Sequence, residues 1–144
     1  MSYRTISLCN LAVLLLSACA PAAEPMNCPA AIQVKQQLAA AVSGWTPTLV
    51  DAPHQLAGIT FYDGPPEQKA SLVYESMTKA AGRQIAKWSF EPKNGSETWV
   101  SCSYAGTSIE LAKKLPSKTK SCEVTYDPRQ QISGLPQIVK MACN

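Results

Sequence analysis

The stretch Thr98-Trp99-Val100-Ser101-Cys102-Ser103-Tyr104 decides the fold, because apolar and polar residues alternate along it over the length of a strand. Successive side chains of an extended chain point to opposite faces, so Val100, Cys102 and Tyr104 share one face. The same period of two recurs in three further runs, at residues 86–90, 108–115 and 119–126. This pattern predicts an antiparallel sheet with one buried face.

Turn residues separate these runs. Residues 93–96, Lys-Asn-Gly-Ser, contain the Asn-Gly pair that tolerates positive φ, and they predict a tight hairpin. Asp127-Pro128 predicts the end of the strand that precedes it. Three more strands are predicted from alternation and composition, at residues 31–38, 58–62 and 135–141.

Residues 67–81 are the exception to the strand pattern. Their apolar positions have helical spacing, Pro66 suits a first helical turn, and Gly82 suits a C-terminal cap, so the pattern predicts a helix. The predicted fold class is therefore mainly β. It is a small antiparallel sheet curled into a sandwich or partial barrel, with one short helix and disulfide staples.

The first residues have the features of a secretory leader. Arg4 supplies a positive charge, and the apolar run at residues 6–16 falls well short of the roughly twenty residues that span a bilayer. Leu16-Ser17-Ala18-Cys19 resembles the lipobox of bacterial lipoproteins, in which the cysteine is acylated and becomes the new N-terminus. Ordinary cleavage after Ala22 is the alternative.

These features predict a signal peptide at residues 1–18, a lipid-anchored tether at 19–27 and one β-rich domain at 28–144. Ala20 is not an aspartate-type retention residue, so a lipid on Cys19 predicts anchoring to the outer membrane, facing the periplasm. Without the lipid, the periplasm is the predicted location. An extended tether would reach roughly 25 Å, which keeps the domain near the membrane.

Four cysteines remain for the domain once the leader and the lipid are set aside: Cys28, Cys102, Cys122 and Cys143. An even number in an exported chain predicts disulfides, and four cysteines allow three pairings. We favour a local Cys102–Cys122 staple and a Cys28–Cys143 clasp. In a simple meander, however, Cys102 and Cys122 would lie about 10 Å apart, beyond the reach of a disulfide. Either the middle strand bulges out or the pairing is different.

The composition excludes several classes of chemistry. A formal charge of +3 gives no support to nucleic-acid binding. The cysteines and the single histidine, His54, lack metal-ligand spacing, and paired cysteines leave no thiolate nucleophile. No serine near His54 lies in a nucleophile motif, so His54 is interpreted as a structural histidine. We therefore predict no catalytic residue, no metal and no cofactor, and a protein that is not an enzyme.

The candidate binding residues are Asp63, Glu67 and Trp99. Residues 63–67, Asp-Gly-Pro-Pro-Glu, form a rigid loop that could offer two carboxylates to a partner or a cation. The alternative is a stiff turn in which Asp63 caps the following helix. Trp99 alternates away from the apolar face of its strand, which predicts an outer-face position. It could line a groove for a glycan or a peptide together with Trp45, whereas Trp88 is predicted in the core.

Four lysines crowd one predicted hairpin: Lys113, Lys114, Lys118 and Lys120. They could meet anionic lipid, a cell-wall polymer or an acidic partner. The alternative is a solvated face that protects a strand edge from aggregation.

A series of short motifs runs through nearly the whole chain after the leader. It comprises Cys28-Pro29, Ile32-Gln33-Val34, Gly44-Trp45, His54, residues 58–66, Trp88, residues 99–104, Leu115-Pro116, residues 122–127 and Cys143. This series resembles a family of short exported bacterial proteins named only by a locus tag and without an assigned function. The resemblance implies one domain with paired cysteines, and it implies no catalytic or ligand residues. The lipobox cysteine departs from it, since many relatives are simply secreted.

Together these observations predict a non-catalytic binding module of the cell envelope. Its partners would be the membrane, through the lipid on Cys19, and an envelope protein or a glycan of the cell wall, with no nucleic acid. The alternatives are a structural or assembly lipoprotein of the envelope and, less favoured by the residues, a small hydrolase.

Overall fold

The chain forms two curled antiparallel sheets. The structure, a computed structural model, describes residues 26–91 and 97–144. Within these residues the elements are β1 (Ala31–Ile32), β2 (His54–Asp63), a 3₁₀ turn (Pro66–Gln68), β3 (Ser76–Ala80), β4 (Arg83–Ser89), β5 (Thr98–Tyr104), β6 (Glu110–Lys114), β7 (Ser121–Ile132) and β8 (Leu135–Cys143). The strand orders are β1-β2-β5-β6 and β3-β4-β7-β8. The prediction of a mainly β, antiparallel fold is confirmed.

Strand β5 has the bounds that its alternation predicts. It lies between β2 and β6, with Phe61 opposite Val100 and Leu111 opposite Cys102. Val100, Cys102 and Tyr104 are buried, whereas Trp99 lies on the other face and is half-buried. The period of two therefore places the buried apolar residues on one face. Ser101, on the other face, is also buried, and its hydroxyl donates a hydrogen bond to Glu110 of β6.

Aromatic side chains join the two sheets in one core. Phe61 of β2 is fully buried, and its ring centroid lies 5.0 Å from that of Trp88 on β4. Phe90, just after β4, packs on the same ring at 5.4 Å. Tilted aromatic pairs at these distances are favourable, and they place the core between the sheets. The prediction of Trp88 as a core residue is confirmed.

All four domain cysteines form disulfides, but the pairing that we favoured from the sequence is wrong. Cys28 bonds Cys102, with Cα atoms 5.8 Å apart, and Cys122 bonds Cys143, with Cα atoms 4.1 Å apart. The reason is the division into sheets: β5 and β7 belong to different sheets, so the assumed meander does not exist. Cys122 and Cys143 are instead direct cross-strand partners on β7 and β8.

The helix predicted at residues 67–81 is also wrong. Only the 3₁₀ turn at Pro66–Gln68 is helical there, and β3 follows it. Val73 and Met77, members of the apolar stripe, are exposed, so a helix would have had no core to pack against. Ala81 and Gly82 both have positive φ and form the two-residue turn between β3 and β4, a role that replaces the predicted C-terminal cap.

Two strand boundaries differ from the predictions. The strand predicted at residues 31–38 is limited to β1, and the chain after Ile32 leaves the sheet. Asp127-Pro128 does not end a strand, because β7 continues to Ile132. Pro128 lies in a bulge where β7 loses its register with β8, and its missing N–H is tolerated there. The hairpin turn predicted at residues 93–96 lies outside the described residues.

Along residues 26–91 and 97–144, no helix has the length and apolarity needed to cross a bilayer.

Candidate functional site

The segment between β1 and β2 is unlike the rest of the described chain. Residues 33–53 form neither helix nor strand, and a turn hydrogen bond of 3.1 Å joins the N–H of Trp45 to the carbonyl of Val42. From Gln36 to Val50 no residue is charged, and we call these fifteen residues the apolar loop. The exposed fractions of its large apolar residues are 53% for Leu38, 52% for Val42, 78% for Trp45, 69% for Leu49 and 86% for Val50.

Part of the apolar loop is concave. Leu38, Val42, Trp45 and Leu49 line a hollow of about 620 Å³, together with polar but uncharged neighbours that include Gln36, Gln37, Thr46 and Thr48. Exposed apolar residues scattered singly are ordinary, whereas a contiguous group around one hollow is typical of an interaction surface. The loop therefore offers an apolar concavity with hydrogen-bonding groups interleaved.

Hydrogen bonds around His54 hold the base of this loop. The Nδ1–H of His54 donates to the carbonyl oxygen of Ala105 at 2.6 Å, a partner that can only accept. The Nε2 of His54 accepts from the side-chain amide of Gln36 at 3.1 Å, and that amide also donates to the carbonyl of Gly106 at 3.2 Å. Both ring nitrogens are thus engaged, and His54 ties the loop to the turn after β5.

Gly106 makes this junction possible. Its φ is +74°, and a side-chain Cβ at this position would lie 3.3 Å from Nδ1 of His54. A larger residue would combine backbone strain with crowding of the imidazole. Gly106 and His54 therefore form the junction between the base of the apolar loop and the turn after β5.

The candidate binding residues do not form one site. Asp63 pairs with Thr98 across the β2–β5 ladder, whereas Trp99 pairs with Tyr62, so Asp63 and Trp99 lie on opposite faces of the sheet. Asp63 lines a hollow of about 390 Å³. Glu67 is exposed in the 3₁₀ turn. Asp63 does not cap that turn either, because Pro65 occupies the cap position, with no side-chain hydrogen bond there.

The lysine-rich strand lies at the edge of its sheet. Lys113 and Lys114 belong to β6, the last strand in the order of the first sheet. Lys114 forms an ion pair with Glu97, and its hydrogen bond holds the pKa of Glu97 below the usual value. Lysines on an exposed edge discourage pairing with another chain.

A second ionic cluster fixes the bulge of β7. Asp127 is buried, and Arg129 binds its carboxylate with two side-chain hydrogen bonds, of 2.9 and 3.1 Å. Arg83 of β4 reaches the same carboxylate at 2.8 Å. The hydrogen bonds from Arg129 lower the pKa of Asp127, and the charge of Arg83 acts in the same direction. The cluster holds the backbone where residues 128–130 have no ladder partner.

Among the described residues, no group of three or more His, Cys, Asp or Glu side chains is placed to hold a metal ion.

Sequence reasoning identified Trp45 as a possible groove residue but missed four members of the apolar loop: Leu38, Val42, Leu49 and Val50. The signal that could have found them is the uncharged run from Gln36 to Val50, which is unusual for a solvated connection. Alternation and motif searches do not detect such a run.

The disulfide-bonded sheets and the exposed apolar loop define a small β domain with an exposed apolar surface. Residues 51–144 match the model of the Type VI secretion system Tli immunity protein family, and the chain belongs to that family. The match covers every described strand from β2 to β8 and starts where the apolar loop ends.

The chain is also similar to an "uncharacterized 16.3 kDa protein in trpG 5' region" of Azospirillum brasilense. The two are 30% identical over 124 residues, which cover 81% of this chain and 82% of the relative. This share exceeds that of the family match, so the similarity extends to residues before Asp51. No solved structure matches the chain.

Proposed function

We propose that this protein is an immunity protein, which binds a toxic effector of a type VI secretion system and thereby neutralises it. The observation that carries the proposal is the family match over residues 51–144. That match includes both disulfide-bonded sheets apart from β1 and Cys28, so the family likeness rests on almost the entire fold.

Neutralisation is by binding and needs no catalytic step. The ring nitrogens of His54 are both engaged in hydrogen bonds, and the cysteines of the described residues are held in disulfides. These residues therefore supply no thiolate and no histidine base with a free nitrogen. A rigid sheet core with an exposed surface suits a stoichiometric inhibitor.

The proposed place of action is the periplasm. Disulfides form and persist in that oxidising compartment, which agrees with a leader at residues 1–18. A lipid on Cys19 and a tether at 19–27 would hold the domain at 28–144 near the outer membrane, where an incoming toxin could be intercepted. A Cys19→Ser chain that still fractionated with membranes would contradict the lipid anchor.

Competition between sister strains tests the function. A recipient that lacks this protein is mixed with its own parent, which carries an active type VI system, and recipient survival is counted. Survival should fall and should be restored by the wild-type chain expressed at its native level. The matched control is a parent whose secretion apparatus is disabled, against which the deleted recipient should survive normally. Equal survival of deleted and complemented recipients under active attack would overturn the proposal.

A further inference from the structure

We propose that the apolar loop, residues 36–50, is the surface with which this protein holds its toxin, and that Trp45 is the central contact. The proposal rests on the proposed immunity function and adds to it the binding surface and the chemistry of the partner. The part of the toxin that it contacts is apolar and uncharged.

The exposed area is large enough for this role. Leu38, Val42, Trp45, Leu49 and Val50 are exposed by half or more and lie within fifteen residues. Their side chains present on the order of 500 Å² of surface, near the upper limit for a patch on a monomer. A standard interface covers about 800 Å² on each partner, so the loop would supply most of one side.

The absence of charge defines the partner. The chain has 13 basic and 10 acidic residues, but none lies between Gln36 and Val50. A charged group of a partner buried around Trp45 would lose its hydration and find no counter-ion within the loop. The nearest charges, Lys35 and Asp51, flank the two ends of the loop and line a neighbouring hollow with Leu49 and Val50. The complementary surface is therefore apolar, while Gln36, Gln37, Thr46 and Thr48 provide hydrogen bonds that fix orientation.

The shape of the loop favours a protein over a membrane. Leu38, Val42, Trp45 and Leu49 line a hollow, which can accept a projecting side chain of a protein partner. Segments that bind membrane surfaces also carry lysine and arginine for the anionic headgroups. Lys35 directly precedes the loop, but it lines the neighbouring hollow together with the acidic Asp51.

The position of the loop suits recognition of one particular toxin. The family match begins at Asp51, so the loop lies outside the matched part of the chain, although the similarity to the Azospirillum brasilense protein extends to residues before Asp51. Its base is nevertheless held by the hydrogen bonds of His54 and Gln36, which reduces the ordering that binding would require. A binding surface that is fixed at its base and lies beside a shared fold can distinguish one toxin from related toxins.

Paired variants test the surface. The double variant Leu38→Asp, Val50→Asp places charges on the loop. Leu135→Asp, Val73→Asp is its control, because Leu135 is as exposed as Leu38, at 53%, and Val73 nearly matches Val50, at 84% against 86%. Each is expressed from the native locus in the recipient under attack by the parent. The loop pair should lower recipient survival at least about tenfold, because a charge buried in the interface weakens the binding of the toxin. The control pair should protect like the wild type.

Folding and function are separated within the same experiment. Both pairs should accumulate to the wild-type level and melt at the wild-type temperature, since the substituted side chains are exposed. If the deleted recipient is not harmed at all, the immunity function itself fails. If the deleted recipient is harmed but the loop pair still protects, or the control pair fails equally, the binding surface is wrong and the function stands.

A membrane partner is tested with vesicles of phosphatidylethanolamine and phosphatidylglycerol. Trp45 emission is isolated as the difference between the wild type and a Trp45→Phe variant. Emission unchanged by the vesicles supports the protein surface. A blue shift, with quenching by brominated lipid, would assign the loop to the membrane and overturn the proposal.

Discussion

The two sheets and the apolar loop use similar side chains in opposite ways. Phe61 and Val124 are completely buried between the sheets, whereas Trp45 and Val50 of the loop are largely in solvent. Apolar side chains in the sheets stabilise the fold by leaving water. Those in the loop are exposed by half or more, so they leave water much less completely. Apolar composition alone thus does not define a core, because the environment of each residue does.

The two regions also differ in how they are held. Ladders of backbone hydrogen bonds and both disulfides fix the sheets. The loop depends on its ends, with Cys28–Cys102 shortly before it and the hydrogen bonds of His54 after it. Its own residues form one short turn between Val42 and Trp45.

The first prediction compares a core aromatic residue with an aromatic residue of the loop. Phe61→Ala should lower the free energy of unfolding by about 3–5 kcal/mol, because it leaves a cavity beside Trp88 and Phe90. Trp45→Ala should change it by no more than about 0.5 kcal/mol. Urea unfolding followed by circular dichroism measures both. A Trp45→Ala loss above about 1 kcal/mol would show that the loop packs on the fold.

The disulfides provide a second test of the difference. The Cys28–Cys102 bond closes 74 residues and Cys122–Cys143 closes 21. In the chain-entropy model, replacing Cys28 and Cys102 by serine should lower the free energy of unfolding by about 4.4 kcal/mol. Replacing Cys122 and Cys143 should lower it by about 3.3 kcal/mol. The first pair should also speed hydrogen exchange in residues 33–53, because it frees the chain before the loop.

The Cys122→Ser, Cys143→Ser variant is the control for that exchange experiment. It removes a cross-strand bond of β7 and β8 and should leave exchange in residues 33–53 unchanged. Equal acceleration in both variants would mean that the loop is held by overall stability and not by its own N-terminal attachment.

Local alternation was enough to predict most of the strands, but not β3, which lies within the predicted helix, and not the arrangement of the sheets. The bounds of β5 follow from its own residues, since its two faces meet different surroundings. The pairing of Cys102 depends on which sheet receives β7, a contact distant in sequence that no local pattern reports. The false helix at residues 67–81 shows the converse. Its apolar spacing was genuine, but Val73 faces solvent, and Ala81 takes a positive φ that alanine rarely adopts.

The site was less predictable than the fold for a physical reason. Sequence reasoning sought charge and motif at Asp63, Glu67 and Trp99, and the structure places Asp63 and Trp99 on opposite faces. The apolar loop has neither charge nor motif. Its side chains look like core residues until the structure shows that nothing in the described chain covers them.

The smallest predicted effect concerns the ionic cluster of Asp127, Arg129 and Arg83, which holds the bulge of β7. Arg129 and Arg83 lower the pKa of Asp127 in the folded state relative to about 3.9 in the unfolded chain. The cluster therefore stabilises the fold fully above the unfolded pKa and loses that contribution as the pH falls through the lower, folded value. Solvent screening limits its size, because Arg129 is 67% exposed.

An Asp127→Asn variant should accordingly be less stable than the wild type at pH 7, and the difference should shrink below about pH 4. Urea unfolding at several pH values measures it. Glu97→Gln is the matched control, because the pKa of Glu97 is also lowered but its partner Lys114 is exposed at a sheet edge. Glu97→Gln should lower the free energy of unfolding at pH 7 by less than Asp127→Asn does. The difference in free energy of unfolding between Asp127→Asn and the wild type could instead be the same at pH 3 and pH 7. In that case packing, and not the ionic cluster, would hold the bulge.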